Sequence, residues 1–257
     1  MVPSWGYPLL TVAAGVLLWH VAVAVFAIPD YLIPAPTAVA ANLVGNWSFL
    51  WHHTLVTTLE TLGGFGLSVL VGIPLAMMIV WSPKIDQALT PLLVLSQTFP
   101  KVAVAPLFII WFGFGIQTKI LVSFLIAFFP VVVATVAGMR AVEPEMVELV
   151  RSMRATPLQM FFRLRLPAAL PSIFAGMRVA IAFAVVGAVV GEWVGADQGL
   201  GYLLLRANAN LDTRLLFSIL VMLTVIGVFL YYLVVWLEHL AIPWHVSHRD
   251  DTFRPSA

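Results

Sequence analysis

The chain has 257 residues, of which 61% are hydrophobic and 10% charged, with a mean hydropathy of +1.02. A soluble domain carries roughly 25% charged residues, so lipid has to be the second solvent here. A net charge of +1 gives no field for nucleic acid, and zero cysteines exclude a disulfide framework and thiolate chemistry.

A span needs about 20 mostly apolar residues, and the chain offers six such stretches: 8–28, 55–81, 88–113, 118–139, 168–194 and 213–241. The expected fold is all-α, a six-helix membrane bundle forming one permease domain over 1–257. The first stretch, Pro8 to Ile28, has no basic n-region and no A-x-A-like site, so it reads as a retained anchor. After it, Ile33-Pro34-Ala35-Pro36-Thr37 reads as a rigid extended entry to a short interfacial helix N-capped by Thr37, within an outer segment Asp30 to Trp51. The third stretch contains Gln97-Thr98-Phe99-Pro100-Lys101, where Pro100 lacks the amide of an unbroken helix and predicts a kink or break.

Orientation follows from the basic residues of the short connections. With the N-terminus inside, the inner side holds Lys84, Arg140, Arg151, Arg154, Arg163, Arg165, Arg249 and Arg254, and the outer side only Lys119, Arg206 and Arg214. Both termini are therefore expected in the cytoplasm.

Between the fourth and fifth spans, residues 141–167 are polar and patterned. Glu143, Glu145 and Glu148 come first, and Arg151 and Arg154 last, the order a helix dipole favours; Glu148 and Arg151 form an i,i+3 pair. Thr156-Pro157-Leu158-Gln159 is a capping box with proline at the first helical position. The segment reads as helix, turn, helix on the cytoplasmic surface. Its apolar faces (Met146, Leu149, Val150, Met153, then Leu158, Phe161, Phe162, Leu164) either pack on the bundle and lipid headgroups or dock another protein.

A charge within a span costs about 2.5–3.5 kcal/mol and calls for a reason; the four candidates are Glu60, Lys101, Arg178 and Glu192. Arg178 and Glu192 share one face of the fifth span, so they either line a polar path or anchor helix ends. Lys101 is expected to cap carbonyls freed at the break. Gly187, Gly191 and Gly195 form a small-xxx-small stripe, which reads as packing within one bundle rather than a dimer seam. Trp111, Trp193, Tyr202 and Phe99 either stack a flat heterocycle or belong to the interfacial belt. His52-His53 alone is too small for a metal site.

Glu148-Leu149-Val150, Arg154-Ala155-Thr156 and Leu164-Arg165-Leu166-Pro167 resemble the E-A-A–x3–G–x9–I-x-L-P loop of ABC importer permeases. The likeness runs through Ile33-Pro34-Ala35-Pro36, Gly72-Ile73-Pro74-Leu75, Trp111-Phe112-Gly113-Phe114-Gly115, Phe128-Phe129-Pro130 and Gly199-Leu200-Gly201-Tyr202, in the branch handling nitrate, sulfonates, taurine and thiamine-precursor pyrimidines. It departs at Leu149 and Val150, for paired alanines, and at Arg154, for the turn glycine.

The resemblance implies an importer permease of the bacterial inner membrane, working as a homodimer without chemistry of its own. Its partners would be an ABC ATPase that binds ATP and Mg, and a solute-binding protein. The ATPase would meet Glu148, Leu149, Arg151, Arg154, Ala155, Leu166 and Pro167, with Glu148 as the acidic contact. The chain itself has no G-x-x-x-x-G-K-[ST] phosphate loop. The translocation path is expected at Glu192, Trp193, Arg178, Phe99 and Lys101, with Glu192 in an outer vestibule. The solute class expected is a thiamine-precursor pyrimidine or related heterocycle, with sulfonate, taurine, nitrate or bicarbonate as alternatives. An ion-coupled secondary transporter would need acidic relays and repeats, and a scaffold would leave the loop unexplained.

Overall fold

A computed structural model describes residues 6–243, so Arg249 and Arg254 of the expected inner tail lie outside the described residues. The described chain is all-helical: α1 Gly6–Val25, α2 Pro36–Gly45, α3 Trp47–Trp81, α4 Pro83–Thr98, α5 Ala105–Phe112, α6 Ile116–Arg140, α7 Pro144–Ser152, α8 Pro157–Met160, α9 Leu166–Gly195, α10 Leu200–Ala209 and α11 Thr213–Ala241. Among the described residues, five elements are long and apolar enough to cross a membrane, and the bent α4–α5 pair, counted as one span, makes six.

α6 packs against α9 and α3 at the centre, and α11 and α10 close the other side of α9. The small residues of α9 make this approach possible. A Cβ on Gly187 would stand 2.6 Å from the Ser123 Cα, and one on Gly191 would stand 3.0 Å from the Lys119 Cα. The stripe therefore packs inside the bundle, with backbone against backbone.

Three boundaries differ from the sequence expectation. α2 is capped at Ala35 with Pro36 at its first position, and Thr37 does not cap it; the fixed φ of proline pre-sets the helix start. α3 begins at Trp47, eight residues before the apolar window, and Thr54, Thr57, Thr58 and Thr61 donate to carbonyls one turn back and carry their hydroxyls inside the helix. Finally, the capping box at Thr156 forms as expected, but α8 does not end as a separate surface helix. It runs through a π-turn, Phe161–Arg165, directly into α9.

The third span breaks by 90° between α4 and a short 3-10 turn, Lys101–Val104, that leads into α5. Phe99, held before a proline, takes an extended conformation (φ −72, ψ 129), and the Ala103 amide then donates to the Pro100 carbonyl at 2.9 Å. At the α7 end of the bundle, Arg140 closes onto Asp86 at 2.5 Å, tying α6 to α4. At the opposite end Thr213 Oγ1 donates to the Asp30 carbonyl at 2.7 Å, and Arg214 pairs with the Asp30 carboxylate.

Candidate functional site

Three regions hold the residues singled out by sequence. The first is the loop helix α7. It has no buried residue, and Met146, Leu149 and Met153 are 44%, 56% and 74% exposed along one i, i+3, i+7 stripe. Among the described residues, Glu148 and Arg151 do not pair with each other or with any other charged group. The expected i,i+3 ion pair is therefore absent, and the Glu148 carboxylate is free.

The helix ends at Met153, and Arg154 turns it with a φ of 59. The Arg154 amide donates to the Arg151 carbonyl at 3.0 Å and the Ala155 amide to the Val150 carbonyl at 3.4 Å, a Schellman closure. A non-glycine residue in that position costs roughly 1 kcal/mol, so the turn keeps the glycine shape without the glycine. Leu166 and Pro167 stand apart from this surface. They form the first turn of α9, both partly exposed, and Leu166 packs on the core.

The second region is the break in the third span. Gln97, Phe99, Lys101, Phe129 and Phe183 surround an open cavity of about 460 Å³. Phe129 and Phe183 sit near the midpoints of α6 and α9, so the cavity lies at mid-height of the bundle. Lys101 does not cap carbonyls as expected; its Nζ sits 4.8 Å from the centre of the Phe129 ring.

Phe183 and Val186 also belong to a neighbouring cavity of about 650 Å³, lined further by Arg178 and Tyr231. One groove along α9 thus joins Phe99 and Lys101 to Arg178, whose guanidinium pairs with Glu238 at 3.6 Å. Trp193 lines neither cavity and is 44% exposed. Gln97, Phe129 and Phe183 were missed by sequence reasoning. The irregular Gln97–Lys101 run and the Phe128-Phe129-Pro130 motif pointed to two of them; nothing marked Phe183.

The third region corrects the outer-vestibule placement. Glu192 is 1% exposed. Its carboxylate accepts Thr57 Oγ1 at 2.6 Å and the Gly201 amide. The Leu200 amide donates to Thr57 Oγ1 at 2.8 Å, and the Gly199 amide to His53 Nδ1 at 2.9 Å. Three amides at the start of α10, which a lone helix leaves unpaired, are therefore capped by side chains of α3 and α9.

The Gly199-Leu200-Gly201 motif follows from this. Gly199 has a φ of 109, and a Cβ on Gly201 would meet the Val189 carbonyl oxygen at 2.7 Å and Glu192 Oε2 at 2.8 Å. Beside this cap Glu60, fully buried, pairs with Lys119 at 3.2 Å.

Residues 68–242 match the family of binding-protein-dependent transport system inner membrane components. The formylaminopyrimidine transport permease protein ThiX of Halalkalibacterium halodurans is 36% identical over 89% of this chain and 91% of its own. The riboflavin transport system permease protein RibX of Chloroflexus aurantiacus is 38% identical over 95% of this chain and 92% of its own. Among solved structures, the inward-facing MetNI methionine ABC transporter shares the fold, with a TM-score of 0.64 at 19% identity over 76% of this chain and 94% of the matched one. With its all-helical bundle and its broken third span, the chain belongs to the binding-protein-dependent inner-membrane components, the multi-pass permease subunits of ABC importers, and is a transport subunit rather than an enzyme.

Proposed function

We propose that this permease passes a small flat heterocycle, of the pyrimidine type, along the α9 groove between two copies of itself. The observation that carries the solute class is the cavity at the broken span: three aromatic rings from three different elements, with Gln97 and Lys101 as its polar edge. Rings stack on such walls while a few polar groups fix their orientation. Relatives named for a formylaminopyrimidine and for riboflavin support the same class. Lys101 favours a second reading. Its ammonium has no carboxylate partner among the described residues, and a sulfonate, taurine, nitrate or bicarbonate would suit it.

The energy enters at α7. A separate ATPase binds ATP and Mg, closes, and moves the exposed α7 face with Glu148, Leu149, Arg151, Arg154 and Ala155. A binding protein delivers solute to the opposite end. A homodimer is proposed because the groove of one copy is open on its side and needs a second wall.

Proteoliposomes holding the permease, its ATPase and its binding protein test the solute class. Uptake of a labelled aminopyrimidine is expected, and Phe183→Ala is expected to slow it about three- to tenfold per assembled complex. Preferred uptake of taurine or an alkanesulfonate would establish the second reading. An unchanged rate in Phe183→Ala would remove the groove from the path.

The proposed orientation puts α7 in the cytoplasm on the distribution of lysine and arginine. Cysteines introduced at Ser152 and at Asn46 are expected to react with an impermeant reagent from opposite faces, Asn46 from outside. Reaction of both from one face would overturn the span order.

A further inference from the structure

At the α7 end, beside the coupling loop, the surface carries a feature that the transport cycle described above does not use. The last turns of α3, the start of α4 and the π-turn enclose an apolar groove of about 490 Å³, lined by Met78, Trp81, Leu158 and Phe162 among others. Those four are half exposed, at 52%, 50%, 58% and 53%. The groove continues into a second cavity of about 370 Å³ that shares Trp81 and Phe161 and whose lining includes Arg165. The Trp81 and Phe161 rings meet edge to face at 5.4 Å and form the common floor.

Charge separates this groove from an ordinary lipid-facing surface. Arg140 and Arg178 are paired with Asp86 and Glu238. Among the described residues, Arg163, Arg165 and Lys84 have no carboxylate within ion-pair distance. Arg163 and Arg165 stand on the π-turn itself, and Lys84 directly precedes Ile85, which lines the groove. One unpaired cation, Arg165, thus lines the slot, and two more, Arg163 and Lys84, each adjoin a lining residue in sequence, while the interior is hydrocarbon-like.

The level of the groove selects its occupant. It opens where the apolar α3 span ends at Trp81, the depth at which acyl chains give way to headgroups. A soluble partner would meet α7 and would find little to bond in a slot lined by Met, Trp, Leu and Phe.

We propose that this groove is a binding site for an anionic phospholipid, with one acyl chain lying against Trp81 and Phe162 and the phosphodiester held by Arg165 and Arg163. Basic pockets between spans hold acidic headgroups through charge-assisted hydrogen bonds. An acyl chain in the slot removes the half-exposed apolar side chains from the headgroup layer. Since Arg165 lies between this slot and α9, the lipid braces the coupling loop against the span that it moves.

Trp81 is a built-in reporter, and its emission among the nine tryptophans is isolated by difference from Trp81→Phe. The assembled transporter is placed in phosphatidylcholine vesicles carrying either brominated phosphatidylcholine or brominated phosphatidylglycerol, at stepped mole fractions. Phosphatidylglycerol is expected to quench Trp81 at a mole fraction about fivefold or more lower than phosphatidylcholine. R163Q/R165Q removes the preference and R163K/R165K retains most of it.

Equal quenching by the two lipids, or a preference that R163Q/R165Q leaves intact, overturns the site. Quenching in the permease alone but not in the complex assigns the groove to the ATPase instead and overturns it equally. Should R163Q/R165Q fail to assemble, the preference of the natural protein must decline as salt is raised, and a salt-insensitive preference is disproof.

Discussion

Replacing Glu192 with alanine is expected to lower the stability of the assembled permease by about 3 kcal/mol, or about 10 °C in melting temperature. The carboxylate accepts from Thr57 and from Gly201 in a site closed to water. Without it the Gly201 amide and the Thr57 hydroxyl lose their shared acceptor, and the start of α10 comes away from α3. Glu192→Gln keeps one oxygen of the same shape and is expected to lose about 1 kcal/mol. Gly201→Ala disturbs the same junction from the other side, since its Cβ meets the Val189 carbonyl and the carboxylate itself. In each variant the protein that remains assembled transports at the natural rate, because the buried carboxylate lines neither of the groove's two cavities. Uptake per assembled complex, measured beside the melting curve, decides the matter. Natural stability with lost uptake in Glu192→Gln would return Glu192 to the solute path.

Glu192 also marks where sequence reading stops. An acid within an apolar stretch announces that it has a partner, but its sequence does not say which, since Thr57 is 135 residues away. The Gly199-Leu200-Gly201 run was legible as a motif and not as a cause, because what excludes a side chain there is the carboxylate of another helix. Pro100 was easier. Its missing amide and its effect on Phe99 are local, and the break falls where the sequence put it. The Arg154 turn was not legible, since the sequence showed only that an arginine stands where the resembling loops have a glycine, and not that it would take the same positive φ. Neither was the π-turn, since the capping box at Thr156 reads identically whether the helix stops after two turns or continues into a span. Six apolar stretches could be counted from hydropathy, but the start of α3 was hidden, because Ser48, His52, His53 and Thr54 lower the hydropathy of a helix that runs through them.

Reversing the charge of Glu148 is expected to uncouple the transporter. α7 carries no buried residue and presents Met146, Leu149 and Met153 to solvent, an apolar stripe that a monomer has no reason to display beside charged groups unless another surface covers it. Glu148 borders that stripe, and its carboxylate is unpaired within the chain. A partner groove closing over it would bury the charge against a cation, and truncating one member of such a pair costs about 2–5 kcal/mol. Glu148→Lys adds repulsion to that loss. Solute-stimulated ATP hydrolysis and uptake are therefore expected to decline at least about tenfold. Insertion and self-association should be unaffected, since this side chain is exposed and joins no ion pair among the described residues. Leu149→Asp tests the apolar half of the same surface and is expected to fail in the same step, with the ATPase lost from the purified complex. The two variants separate docking from folding: both retain the natural melting temperature of the permease alone if α7 is a contact surface. Retained coupling in Glu148→Lys, or a lowered melting temperature of the isolated permease in either, would place the partner's contact elsewhere.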